Sequence, residues 1–329
     1  MKNFKELFQR FTSIKIGIIG DVMLDTYMWG DVERISPEAP VPVVSLKKKE
    51  HRIGGAGNVA LNIQSLGAKP FVLSVTGDDE DADKLNSLFT SQNINCNYCI
   101  KSKERITTNK TRVISRNQHM MRLDAEIAND LCNEDQQKLI ELFEQFVEKE
   151  KPHVVILEDY NKGVLTEALI QVVISVCKKA GVITAVDPKR KNFLQYKSVD
   201  IFKPNLKEVK DALNLLFSDI NLNLLQNIHS ELNHLLHNKI SFVTLSEKGV
   251  FYQQDGESAL ISSHLRNIAD VSGAGDTVIA VASLVYAATR NVHLMAEIAN
   301  IAGGLVCEEV GTVAINREKL LHECELLLP

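Results

Sequence analysis

The sequence predicts an α/β fold: a mostly parallel central sheet flanked by helices, with a small β lid. Three observations carry that prediction. Short apolar, β-branched runs alternate with helical patterns through much of the chain. Two segments, about residues 20–46 and 94–124, break that rhythm and read as the lid. Two stretches of small residues each open into an apolar helix.

Residues 1–15 mix Lys, Glu, Gln and Phe and read as a short amphipathic helix, without the apolar core or cleavage site of a signal peptide. The run IKIGIIG, ending at Gly20, suits a buried parallel strand. Pro37, Pro40 and Pro42 demote the stretch that follows to turns and edge strand. GGAGNVALNIQSLGA is a Gly-rich loop opening a helix, and PFVLSVTG is the next strand. Residues 94–124 alternate with little helix signal, which predicts a hairpin or a small separate sheet. A helix is expected over 134–150, a strand in VVILEDY, a helix over 166–180, and strands in VITAVDP and DIFKPN. A Leu- and Asn-rich helix comes next, and ISFVTLSEKGVFYQ reads as strand, turn, strand. TVIAVASLVYAATR and HLMAEIANIAGGLVCEEVG make the last part largely helical. Strand–helix alternation implies right-handed crossovers and a mainly parallel sheet.

The 329 residues fit one large α/β domain spanning 1–329. A net charge of −5 argues against a general nucleic-acid binder, so an anionic substrate needs a local cluster of Lys and Arg. Six cysteines in a chain this long do not make a disulfide framework. No apolar run reaches the ~18 residues of a membrane helix, so neither a membrane nor a nucleic acid is an expected partner. A cytoplasmic location follows by default.

The chemistry concentrates in DVSGAGDTVIAVASLVYAA. Gly273, Ala274 and Gly275 lead straight into an apolar helix, leaving main-chain N–H groups at its N-terminus. The helix dipole adds roughly half a positive charge there, which suits a phosphate. Asp276 follows in the first turn, placed to take a proton from an attacking hydroxyl while the N–H groups stabilise a transferring phosphoryl group. A plain loop with an acidic helix cap is the structural alternative.

DVSGAGDT resembles the C-terminal signature of the ribokinase-like (PfkB) carbohydrate kinases, and GGAGNVALNIQSLGA resembles their N-terminal signature. KPNLKE resembles the family's Asn-x-x-Glu motif, and the likeness runs nearly end to end. Within the family, GDVMLDTYMWGDVERISPEAPVPVV, LEDYNKGVL and AVDPK resemble the D-glycero-β-D-manno-heptose 7-phosphate kinases, in their stand-alone form. Lys203, Glu158 and VGTVAI depart from the expected pattern. The resemblance implies ATP and Mg²⁺ as cofactors, with a monovalent cation as a further candidate. It implies that Asp25 hydrogen-bonds sugar hydroxyls with Asp31 assisting, and that Gly55 and Asn58 contact substrate. Asn205 and Glu208 match the magnesium-and-phosphate motif, Glu208 acting through metal-bound water. Ser246, Gly249 and Asn300 stand with them as candidate nucleotide contacts. Lys110, Arg112, Lys162 and Lys189 are candidates to hold the substrate's own phosphate. The lid is implied to cover the sugar and to pair with a second lid in a homodimer. A PfkB-family kinase of another sugar, sugar phosphate or nucleoside, and a non-catalytic binder on the same fold, are the alternatives.

Other motifs carry less. Gly55, Gly57 and Ala60 fit the dinucleotide fingerprint, but the charged run KKKEHR precedes them where a strand is required. No G-x-x-x-x-G-K-[ST] occurs. Cys96 and Cys99 have C-x-x-C spacing without a second pair, His229, His234 and His237 read as a polar helix face, and Lys47–Lys49 read as solvated surface.

Overall fold

The structure is a computed structural model that describes residues 3–116, 118–217 and 219–328. Met1 and Lys2 of the expected first helix, Asn117 of the expected lid, and Ser218 and Pro329 of the expected domain lie outside the described residues.

Helix α1 (Phe4–Arg10) leads through a short 3-10 turn into β1 (Lys15–Gly20). The strands β2 (Val22–Ile35) and β3 (Pro42–Gly55) form a long hairpin, and α2 (Ala56–Ser65) starts directly at its end. Next come β4 (Lys69–Gly77), α3 (Glu80–Ser91), β5 (Asn95–Ser102), β6 (Asn109–Ser115) and β7 (Gln118–Ala125). Alternation then takes over with α4 (Asn133–Glu150), β8 (Val154–Glu158), α5 (Glu167–Ala180), β9 (Ile183–Asp187) and β10 (Ile201–Phe202). Two helices, α6 (Leu206–Leu213) and α7 (Leu222–Leu236), precede β11 (Ile240–Thr244), β12 (Val250–Gln254) and β13 (Glu257–Ile261). The chain closes with α8 (Ala274–Thr289), α9 (Val292–Val306) and α10 (Arg317–Leu327).

Nine strands form the main sheet in the order β13-β12-β11-β10-β9-β8-β1-β4-β5. Every pairing from β11 to β5 is parallel, and only the β11–β12 and β12–β13 pairings, at one edge, are antiparallel. The two-residue period of a strand splits the core between the two faces. Ile16 and Ile18 of β1 pack with Val59, Ile279 and Ile298 on one side. Ile19 packs with Phe146, Leu169 and Leu232 on the other. After β1 the chain steps outward to β4 and β5, then returns to β8 on β1's other flank. That reversal opens a crevice at the carboxyl ends of β1 and β8, the place where open α/β sheets take ligands.

The lid is a four-stranded sheet, β3-β2-β6-β7. Its extent corrects the expected boundaries. Residues 95–102 are not lid but the parallel edge strand β5 of the main sheet. An edge strand with one buried face alternates just as a lid strand does, so periodicity alone does not separate them. The prolines allow more strand than expected, because β3 lies at the lid's edge and begins at Pro42, where a missing N–H costs no ladder bond. Gly54 and Gly55 do come straight off a strand, contrary to the reading of KKKEHR, but that strand is antiparallel and belongs to the lid. The elements α3, α10 and β13 were not expected, and the Leu- and Asn-rich helix is two helices. His229 is no surface residue: it is buried with Nδ1 at 2.8 Å from Ser241 Oγ. Among the described residues, no helix is long and apolar enough to cross a membrane.

Candidate active site

Helix α8 begins at Gly273, whose φ of 80° lies in the left-handed region that glycine adopts without strain. No side chain caps this end. Ala274 N–H bonds Val271 O at 3.3 Å and Thr277 N–H bonds Gly273 O at 3.0 Å. The expected nest of small residues therefore stands at an uncapped N-terminus, with its dipole available to an anion. A Cβ on Gly273 would lie 2.8 Å from Asn58 Nδ2, so the turn packs directly on α2.

Two asparagines of α2 tie down the first turn of α8. Asn58 Nδ2 donates to Asp276 Oδ2 at 2.8 Å, and Thr277 Oγ1 donates to Asn62 Oδ1 at 3.1 Å. Asn62 in turn donates to Asn58 O at 2.8 Å. Asn58 is fully buried and its Nδ2 is engaged by Asp276. The other oxygen, Asp276 Oδ1, accepts from Tyr160 Oη at 2.6 Å. Burial pushes the Asp276 pKa up to about 6; the bonds from Tyr160 and Asn58 pull against that, and nearby Asp187 adds to it. A carboxylate poised near neutrality suits a general base.

Glu158, at the end of β8, and Asp187, at the end of β9, each bring a carboxylate oxygen within 4.8 Å of the other and of Asp276. Burial alone would raise Asp187, but Lys189 at 3.2 Å and Lys203 at 2.8 Å hold it below the usual carboxylate range. Glu158 meets the opposite fate. Burial, then the charges of Asp187 and Asp276, hold its pKa far above normal, and neither of its oxygens has a hydrogen-bond partner among the described residues. Glu158 is thus a buried carboxyl, pushed toward its protonated form, beside Asp276.

Lys189 also bonds Glu208 Oε1 at 2.8 Å, so it bridges two carboxylates instead of standing open for a substrate phosphate. Asn205 and Glu208 form a reciprocal capping box at the start of α6: Glu208 N–H donates to Asn205 Oδ1 at 2.9 Å, and Asn205 N–H donates to Glu208 Oε2 at 2.8 Å. Their side chains offer only oxygen acceptors to a cation, beside the carboxylate of Asp187, and a hard oxygen set fits magnesium. Glu208, with both oxygens engaged, would meet the ion through its water shell.

Ser246 and Gly249 lie in the turn between β11 and β12, and Asn300 lies on α9. Gly249 and Asn300 face the start of the loop that leads to Gly273, and Ser246 is exposed. Asn300 Nδ2 donates to Ser262 O at 2.9 Å, and a Cβ on Gly249 would lie 2.0 Å from Ile261 O.

On the lid side, Asp25 of β2 is buried, accepting from Arg112 Nη1 at 2.6 Å and Thr312 Oγ1 at 3.3 Å. Lys110 and Arg112 lie on β6, paired in register with Asp25 and Tyr27. Lys162 pairs with Glu126 at 2.7 Å. Burial and then the neighbouring Lys162 hold the Lys110 pKa below its usual value, a strain an incoming anion relieves. Gly55 ends β3 with φ 59°, and a Cβ there would lie 2.3 Å from Asp21 O, so glycine is required for the close approach to β1. Asp31 is not brought to the site. It lies six residues beyond Asp25 on β2, roughly 20 Å along an extended strand, and pairs with Lys47 on β3.

Sequence reasoning singled out neither Asp187 nor Tyr160 as site residues, and met Glu158 and Lys203 only as departures from a pattern. For Glu158 and Asp187 a signal existed, since both close apolar parallel strands at the ligand-binding edge. Nothing local distinguishes Lys203 or Tyr160.

The sequence matches the description "pfkB family carbohydrate kinase" over residues 13–319. The bifunctional protein HldE of Desulfatibacillum aliphaticivorans is 37% identical over 313 residues, covering 94% of this chain and 63% of that protein. The bifunctional protein HldE of Methylobacillus flagellatus is 39% identical over 313 residues, covering 94% and 62%. The chain thus spans less than two thirds of the length of these relatives. Among solved structures, phosphofructokinase-2 from Escherichia coli in complex with potassium superposes with a TM-score of 0.78 at 17% identity, covering 95% of this chain and 99% of that one. Ribokinase from Arabidopsis thaliana complexed with ribose and ATP gives 0.72 at 18% identity, covering 94% and 98%.

Proposed function

This chain belongs to the pfkB family of carbohydrate kinases, ATP-dependent sugar kinases on a ribokinase-like fold, and from that premise we propose that it phosphorylates D-glycero-β-D-manno-heptose 7-phosphate. The acceptor is the anomeric hydroxyl and the product is heptose 1,7-bisphosphate, a precursor of lipopolysaccharide core sugar. The observation that carries the reading is Asp276: a buried carboxylate in the first turn of an uncapped helix, with a pKa near 6. The likeness to the HldE proteins supports the heptose in particular.

In this mechanism Asp276 accepts the proton of the anomeric hydroxyl as its oxygen bonds to the γ-phosphorus of ATP. The bond from that phosphorus to the β–γ bridging oxygen breaks, and ADP leaves. The N–H groups around Gly275 stabilise charge on the transferring group, at no reorganisation cost. Asp25 orients sugar hydroxyls, with Arg112 and Thr312 fixing its carboxylate. Lys110 and Lys162 take the substrate's own phosphate. Asn205 and Glu208 would hold magnesium through its water shell, where the ion would neutralise charge on the ATP phosphates. The potassium in the phosphofructokinase-2 structure supports a monovalent cation as a further cofactor. The enzyme acts in the cytoplasm as a homodimer through its lids. Ile35, Leu46, Met121 and Leu123 on the lid, each more than half exposed, support that pairing.

The sign of the pH dependence follows from the base. Protonated Asp276 accepts nothing, so kcat rises with pH as the carboxyl ionises and is flat above that limb; in the free enzyme the ionisation is centred at about 6. Free sugar phosphates ionise in the same range, so kcat, which reports the bound complex, is the quantity to follow. A kcat independent of pH between 5 and 8 would remove Asp276 from the role.

A further inference from the structure

We infer that Tyr160 is a positioning residue for this reaction: its hydroxyl donates to Asp276 Oδ1 and holds the carboxylate in the one orientation that receives the acceptor's proton. The inference rests on Asp276 being the base.

The contact is short and comes from a separate element. Tyr160 follows β8, whereas Asn58, on the other Asp276 oxygen, belongs to α2. Donors of 2.6 and 2.8 Å on the two oxygens fix the carboxylate against rotation. Each oxygen keeps a lone pair for the substrate hydroxyl. Charged hydrogen bonds of this kind are the stronger ones.

The segment that carries Tyr160 is itself held rigidly. Asp21, buried at the end of β1, accepts from the N–H groups of Tyr160 at 2.8 Å, Lys162 at 3.0 Å and Val164 at 3.1 Å. Asp159 accepts from Asn161 N–H at 2.7 Å and from Tyr196 Oη at 2.7 Å. Gly163 has φ 86°, and a Cβ there would lie 1.9 Å from Asn129 O. Two buried carboxylates and a glycine-only turn thus aim one phenol at the base. The ring is flanked by the ammonium groups of Lys110 at 5.7 Å and Lys189 at 5.6 Å. Burial and then the charge of Asp276 keep the phenol protonated, so it stays a donor across the working range.

The charged or titratable groups around Asp276 are Glu158 from β8, Asp187 from β9, Lys189 from the segment after β9, Lys203 from the segment after β10, and Tyr160 itself. Among its hydrogen bonds, Tyr160 stabilises the ionised form most. The test is Tyr160→Phe, assayed for ADP release with ATP and heptose 7-phosphate. The expected result is a kcat lower by roughly 10- to 100-fold, the scale of one charged hydrogen bond, with KM for both substrates within about twofold of wild type. The acid limb of kcat should move up by about one pH unit or more. An unmoved limb with unchanged kcat, or a raised KM with lowered thermal stability and an unmoved limb, would overturn the inference. If the Phe variant does not fold, 3-fluorotyrosine in place of Tyr160 keeps the shape and strengthens the donor. The limb should then move down, and an unmoved limb would overturn the inference. Asp276→Asn run alongside separates the two readings. If it turns over like wild type, the base assignment itself fails. If it is inactive while Tyr160→Phe matches wild type, only the role of Tyr160 fails.

Discussion

Asp276→Asn should lower kcat roughly 100- to 10,000-fold, the range that positioned acid–base catalysis supplies. The amide nearly matches the carboxylate in size, and its oxygen can still accept from Tyr160 or Asn58. The fold and the first turn of α8 are therefore expected to survive. ATP affinity should stay near wild type, because the uncapped N–H groups around Gly275 are main-chain and untouched. A loss confined to kcat identifies an interaction that matters only in the transition state. Nucleotide binding by calorimetry beside steady-state ADP release checks both halves. Near-normal turnover would exclude the carboxylate as base.

The second large effect concerns stability. Lys203→Met should cost about 3–5 kcal/mol, because Lys203 is only 3% exposed and its ammonium lies 2.8 Å from Asp187 Oδ2. Removing it leaves Asp187 buried with Lys189 alone, next to Asp276 and Glu158. Breaking one side of a buried pair is dearer than removing both, so Lys203→Met combined with Asp187→Asn should recover part of the loss. Urea unfolding of the two single variants and the double variant measures this. Simple additivity would show that the pair is not coupled and that Lys203 acts by packing.

Much of this was legible in the residues, for stated reasons. IKIGIIG and the strands ending at Glu158 and Asp187 are nearly continuous apolar runs, and such runs fit a sheet covered on both faces. The small residues before Asp276 announced an anion site because glycine and a helix N-terminus have few other uses together. The lid was misjudged where periodicity is ambiguous, since β5 alternates as an edge strand of the main sheet. Helix α3 escaped notice because its sequence, EDADKLNSLFTS, buries only Ala82, Leu85 and Phe89. The Asn-x-x-Glu motif was read for its chemistry, yet the same spacing also caps α6. Lys203 and Tyr160 could not be found locally, because their partners Asp187 and Asp276 lie in other strands and helices. Asp31 went the other way: its proximity to Asp25 in sequence becomes distance along an extended strand.

In the proposed reaction the Asp276 carboxylate and the amides beside it move a phosphoryl group from ATP to the anomeric oxygen of a seven-carbon sugar phosphate. Coupled ADP release, run with D-glycero-β-D-manno-heptose 7-phosphate beside ribose, fructose and fructose 6-phosphate, tests it most directly. The predicted result is turnover with the heptose at a kcat/KM well above that of every other acceptor. Faster turnover with one of the other sugars, or none with any of them, would contradict it.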